Sequence, residues 1–112
     1  MAGISDCGMS EHGNSKQNHK PHHLYEIFDK AENEVFKYGI SDKPIDEDGL
    51  SSRIREQVSF LNHINGWLRF FGRILLVNIP GKAKASEIET EHIDAFREAH
   101  GRNPLGNRKR RS

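Results

Sequence analysis

Two short apolar stretches of strand length stand near the start of the chain, at 24–28 (Leu-Tyr-Glu-Ile-Phe) and 35–40 (Val-Phe-Lys-Tyr-Gly-Ile). A strand sends successive side chains to opposite faces. In the first stretch Leu24, Glu26 and Phe28 should share one face, opposite Tyr25 and Ile27. In the second, Val35, Lys37 and Gly39 should share a face, opposite Phe36, Tyr38 and Ile40. The link at 29–34 is polar and contains Asn33, so the pair predicts a hairpin. A polar, acidic loop with Pro44 follows at 42–49.

Leu50, Ile54, Val58, Leu61 and Ile64 then recur every three or four residues and predict an amphipathic helix. Ser51 or Ser52 can cap its start, and Asn65-Gly66 suits its end. Residues 70–79 hold the unbroken apolar run Ile74-Leu75-Leu76-Val77, which predicts a buried central strand. Pro80-Gly81 breaks the chain, and 82–100 predicts a second helix stopped by Gly101 and Pro104. The order is strand, strand, helix, strand, helix. That is an α+β class, with a small three-stranded antiparallel sheet flanked by helices.

Composition narrows this picture. The 112 residues allow one domain, and 34% hydrophobic residues allow only a modest core. No apolar run is long enough to cross a membrane, and the N-terminus lacks the basic-then-apolar pattern of a secretion signal. The single cysteine, Cys7, supports neither a disulfide scaffold nor a cysteine metal site. Residues 1–21 are rich in Gly, Ser and Asn without apolar period and are expected to form a disordered leader. The folded unit is expected over 22–107, followed by a basic tail at 108–112. The formal net charge is only +1, so any affinity for nucleic acid must come from local clusters. The tail residues Arg108, Lys109, Arg110 and Arg111 are the obvious one.

The second predicted helix carries the first hint of chemistry. Ala85, Ile88, Ile93, Phe96 and Ala99 span one arc, and Glu87, Glu91, Asp94 and Glu98 lie opposite. Glu89 falls inside the apolar arc, with His92. A buried carboxylate left unpaired costs several kcal/mol. Glu89 should therefore meet a cation, hold a metal, or border a cleft; a plain buried salt bridge to arginine is the ordinary alternative. On the first helix Arg53 borders the apolar stripe, whereas Arg55 points away from it. Arg53 is thus the cation that can reach a shared cleft, or simply a stem snorkelling over the core. Near the end, Asn107 follows Pro104-Leu105-Gly106, where it can stabilise a turn or tie the chain back onto the sheet.

Taken in order, Tyr25, then Lys37-Tyr38-Gly39, Arg53-Ile54, Ala85-x-x-Ile88-Glu89 and Pro104-Leu105-Gly106-Asn107 resemble the GIY-YIG (URI-type) nuclease domain. The resemblance spans about 22–107. His23 stands where the family's first glycine belongs, and Lys37 where the second motif has tyrosine. The lysine form is similar to a divergent branch in which that motif reads Lys-x-Gly.

The resemblance implies a metal-dependent endonuclease acting on DNA with little sequence preference. It makes Tyr25, Lys37, Arg53 and Glu89 the catalytic set. Glu89 would be the ligand of one Mg²⁺ (or Mn²⁺), which suits a hard cation held by one carboxylate and several waters. Arg53 would hold the scissile phosphate. Tyr25 would position or deprotonate the water. Lys37 would share that task or bind phosphate. His23 and His92 are further candidates for the base; a Glu89–His92 metal pair competes with a hydrogen-bonded core histidine. Gly39 and Asn107 would support the site. Arg55 and the basic tail would contact nucleic acid.

The same resemblance extends to toxin domains of bacterial contact-dependent or polymorphic systems. It implies a carrier protein, action in the target-cell cytoplasm, no membrane residence, and a cognate immunity protein presenting an acidic surface. Three other readings stay open on the residues alone: a ribonuclease toxin, a non-catalytic nucleic-acid-binding module with a decayed site, and an interaction domain whose Arg53–Glu89 pair is only a buried salt bridge.

Overall fold

A computed structural model describes residues 18–107. In chain order the elements are β1 (Pro21–Asp29), β2 (Glu34–Ser41), α1 (Ser52–Asn65), β3 (Phe70–Pro80), α2 (Lys82–His100) and a 3₁₀ turn, Leu105–Asn107. The strands form one antiparallel sheet in the order β2-β1-β3. The expected class and element order are therefore what the chain adopts.

β1 is the central strand, not β3. Leu24, Tyr25 and Ile27 are essentially inaccessible, because β1 pairs on both edges and is covered on both faces. The apolar run of β3 does not reflect depth in the sheet. β3 pairs on one side only, and Leu76 and Val77 are 42% and 51% exposed. Its buried residues lie at its two ends, Phe70 and Ile79.

The strand alternation divides the core in two. Tyr25, Ile27 and Phe70 pack with Ile54 of α1, joined by Val58 and Leu61. Leu24 and Ile79 pack with Ala85 of α2, joined by Ile88. One helix thus covers each face. A bulge modifies the hairpin: Ile27 pairs with Lys37 but Phe28 pairs with Val35, leaving Phe36 as the extra residue. Phe36 therefore joins the α1 side, edge-on to Phe70 at 5.0 Å between centroids, instead of lying opposite Lys37 as strict alternation requires.

α1 starts after Ser51, but the Ser51 hydroxyl makes no capping bond; it is buried and bonded to His23 Nε2 at 3.1 Å. Ile64, the last residue of the expected apolar stripe, is 61% exposed, since the helix by then has passed the core. Ala99, in the last turn of α2, is likewise exposed, whereas Ala85 and Phe96 are buried. Both helices end at glycines in left-handed backbone, Gly66 and Gly101.

Four residues of the expected leader, 18–21, are described. Asn18 ties into the domain: its carbonyl accepts from Lys82 N at 2.8 Å, and its side chain donates to Asp42 at 3.1 Å. Residues 1–17 and the basic tail from Arg108 onward, with its four cationic side chains, lie outside the described residues. No helix among the described residues is long and apolar enough to cross a membrane.

Candidate active site

Tyr25 of β1 and Lys37 of β2 lie on the sheet face covered by α1. Register places Gly39 directly across from Tyr25. A Cβ at Gly39 would collide with Cζ and the hydroxyl of Tyr25, so the missing side chain makes room for the ring. The Tyr25 ring therefore lies against Gly39 on β2.

Gln57 of α1 joins the two. Lys37 Nζ donates to Gln57 Oε1 at 3.0 Å, and Gln57 Nε2 donates to the Tyr25 hydroxyl at 2.9 Å. The orientation follows from chemistry: lysine has only donors, so it must face the amide oxygen. The amide NH₂ then faces Tyr25, whose own O–H proton is left for another acceptor. Gln57 lies one turn after Arg53 on the same helix, so both side chains project over one patch.

The electrostatics of the pair differ in sign. Burial raises the Tyr25 phenol above its ordinary range; the Gln57 hydrogen bond and the Arg53 guanidinium oppose this, and Glu89 adds to it. Burial lowers the Lys37 ammonium, helped by Arg53 and opposed by Glu89. Arg53 and Glu89 thus both act on both residues, although one comes from α1 and the other from α2. Arg53 is exposed and lines a cavity; Glu89 is partly buried.

The remaining candidates sit elsewhere. His23 is buried, bonded to Ser51 and held below its ordinary range, first by burial and then by the neighbouring His22. Its ring centroid is 6.3 Å from that of Tyr25. His92 donates from Nδ1 to the Ile88 carbonyl at 2.9 Å, and its ring lies 5.4 Å from that of Tyr38, on the α2 side. Arg55 is paired with Asp46 and Asp48 of the preceding loop, so its charge is already matched.

Asn107 clamps the backbone of Tyr38 on edge strand β2. Its Oδ1 accepts from Tyr38 N at 2.7 Å, and its Nδ2 donates to Tyr38 O at 3.0 Å. The 3₁₀ turn comes close enough that a Cβ at Gly106 would meet Phe36 and Lys37 Cβ. The clamp caps the edge of β2 and fixes the segment that carries Lys37.

Among the described residues no group of three or more His, Cys, Asp or Glu could hold a metal. Among the described residues, the carboxylate that acts on both Tyr25 and Lys37 is Glu89. Such a donor set fits a hard divalent ion that keeps most of its waters, and does not fit zinc.

The fold and patch define a small antiparallel α+β domain of the nuclease-like URI type. Over residues 15–101, well beyond half its length, the chain matches the family described as URI fold toxin 2. It belongs to that family and is a URI-fold toxin domain. No curated protein and no solved structure matches it.

Gln57 is the site residue that the sequence reading missed. The available signal was its four-residue spacing from Arg53, beside the apolar stripe.

Proposed function

We propose that this domain is a metal-dependent endonuclease of GIY-YIG type that hydrolyses DNA with little sequence preference. The observation that carries the reading is the Gln57 bridge between Tyr25 and Lys37, with Arg53 and Glu89 in electrostatic reach of both.

Phosphodiester hydrolysis needs an activated water, neutralisation of charge building on the phosphate, and help for the leaving oxygen. Arg53 binds the scissile phosphate and offsets its growing charge. Lys37, whose ammonium burial makes easier to deprotonate, takes the proton from the attacking water once it has itself lost one. Tyr25, shifted the other way, keeps its proton and donates a hydrogen bond that orients the water or the phosphate. Gln57 holds both at fixed separation. Glu89 would hold one Mg²⁺ or Mn²⁺, which when bound neutralises phosphate charge and lowers the pKa of a coordinated water.

The toxin family supports a biological setting in which the domain is delivered by a larger carrier and acts in a target-cell cytoplasm. An immunity protein with an acidic surface would neutralise it in the producing cell.

Supercoiled plasmid and tRNA, incubated side by side with Mg²⁺ or with EDTA, test the activity. Plasmid nicking that EDTA stops is expected. Cleavage of tRNA alone would make the domain a ribonuclease, and cleavage of neither would defeat the enzymatic reading.

A further inference from the structure

A cavity of about 290 Å³ has Arg53 in its wall, and neither Tyr25 nor Lys37 lines it. Its size is at the lower end of small-ligand sites, about 300–1,000 Å³. Four segments wall it: His22 on β1, Asp42 and Lys43 just past β2, Arg53 on α1, and Lys82 at the start of α2.

Three basic side chains thus line one small space together with a single carboxylate. Like charges brought together from separate segments repel. Lys82 also sits in the first turn of α2, which contains no acid and where the helix field disfavours a cation. A local choice against the rule is the kind of departure expected at functional positions. Asp42 does not neutralise the group. Its carboxylate accepts from Asn18 at 3.1 Å and is held below its usual range chiefly by that bond, so it offsets one charge of three. The cavity is also preformed. His22 is buried with Nδ1 donating to the Lys20 carbonyl at 2.7 Å, and Lys43 N donates to Ser41 Oγ at 3.0 Å.

We infer that this cavity binds a phosphodiester group, the backbone phosphate next to the one Arg53 presents for cleavage, through Lys43 and Lys82. The choice of a nucleic-acid phosphate rests on the nuclease reading; the anionic ligand rests on the cavity alone. Arg53 lines the cavity and also acts on Tyr25 and Lys37, so it can orient a strand across both positions.

The test uses the whole domain with Lys43→Ala/Lys82→Ala and, as a charge-keeping control, Lys43→Arg/Lys82→Arg. Binding of a labelled duplex oligonucleotide is followed by fluorescence anisotropy in EDTA over a salt series. The alanine pair is expected to weaken binding about tenfold and to reduce the salt slope by about one, while the arginine pair retains both. In Mg²⁺ the alanine pair should raise KM and leave kcat unchanged. Inorganic phosphate should shift the His22 ring signals in NMR spectra of the wild type and not of the alanine pair.

Unchanged affinity and slope in the alanine pair would overturn the inference. So would a phosphate-induced His22 shift without any effect on oligonucleotide binding, which would mean a site for free phosphate only. The two readings separate cleanly. A wild type that never cuts but loses DNA affinity in the alanine pair keeps the subsite and sinks the nuclease. A wild type that cuts, with KM and slope unmoved in the alanine pair, does the reverse.

Discussion

The side-chain amide of Gln57 donates to the Tyr25 hydroxyl at 2.9 Å while its oxygen accepts from Lys37. One neutral side chain from a helix thereby fixes two polar groups on neighbouring strands. Gln57→Leu removes both bonds at similar volume. A displacement of about 1 Å at reacting groups can cost on the order of 10²-fold in rate. A loss of that size in kcat is expected from steady-state nicking, with an unchanged circular dichroism spectrum.

Gly39→Ala tests the close approach under the Tyr25 ring. The added methyl must push the ring aside, because β1 and β2 are held in register on either side. Overpacking of this kind costs about 1–3 kcal/mol. Thermal melts should show that loss, and nicking should fall further than the melt accounts for, since the ring itself has moved. Wild-type activity in Gly39→Ala would mean that Tyr25 is not a site residue.

Asn107→Ala separates support from chemistry. The substitution leaves the N–H and C=O of Tyr38 without their side-chain partners, at about 1–3 kcal/mol where such groups are shielded from water. Urea titration should report that loss. Because both side-chain hydrogen bonds of Asn107 go to backbone, KM and kcat of the folded fraction should change far less than in Gln57→Leu.

Asp29 gives a pH dependence of stability. Arg69 grips its carboxylate with two bonds, 2.7 and 2.9 Å, and the Ala31 amide donates at 3.0 Å. Chiefly through the Arg69 bonds its folded pKa lies below its unfolded value, near 3.9. The stabilisation is therefore complete above about pH 4 and is lost as pH falls through the folded pKa. Hydrogen bonds to a charged group contribute about 1.5–3 kcal/mol. Asp29→Asn should lower stability at pH 7 by about that much and flatten the acid limb of a plot of unfolding free energy against pH.

Alternation separated Tyr25 from Leu24, and two different helices do cover their two sides. The glycine stops and the helical spacing of Ile54 and Val58 were legible for the same reason: each is a local signal. What was not legible is non-local. Nothing in Val-Phe-Lys marks Phe36 as a bulge residue, since a bulge is set by the partner strand. Nothing in Ile-Leu-Leu-Val says that β3 lies at an edge, since strand order depends on which strand both neighbours choose. The Ser51 hydroxyl, a natural cap by position, was drawn instead to His23, which lies 28 positions earlier in the chain. Gln57 was hidden in another way. An amide on a helix looks like solvent-facing polarity until a lysine and a tyrosine are placed on either side of it.

We propose that this URI-fold toxin domain cleaves nucleic acid through a metal held by Glu89. The most direct measurement is the single-turnover rate of plasmid nicking in Mg²⁺ by wild type beside Glu89→Ala, with circular dichroism of both. The account predicts nicking by the wild type and a loss of at least about 10²-fold in a variant that remains folded. A folded Glu89→Ala that nicks at the wild-type rate would contradict it.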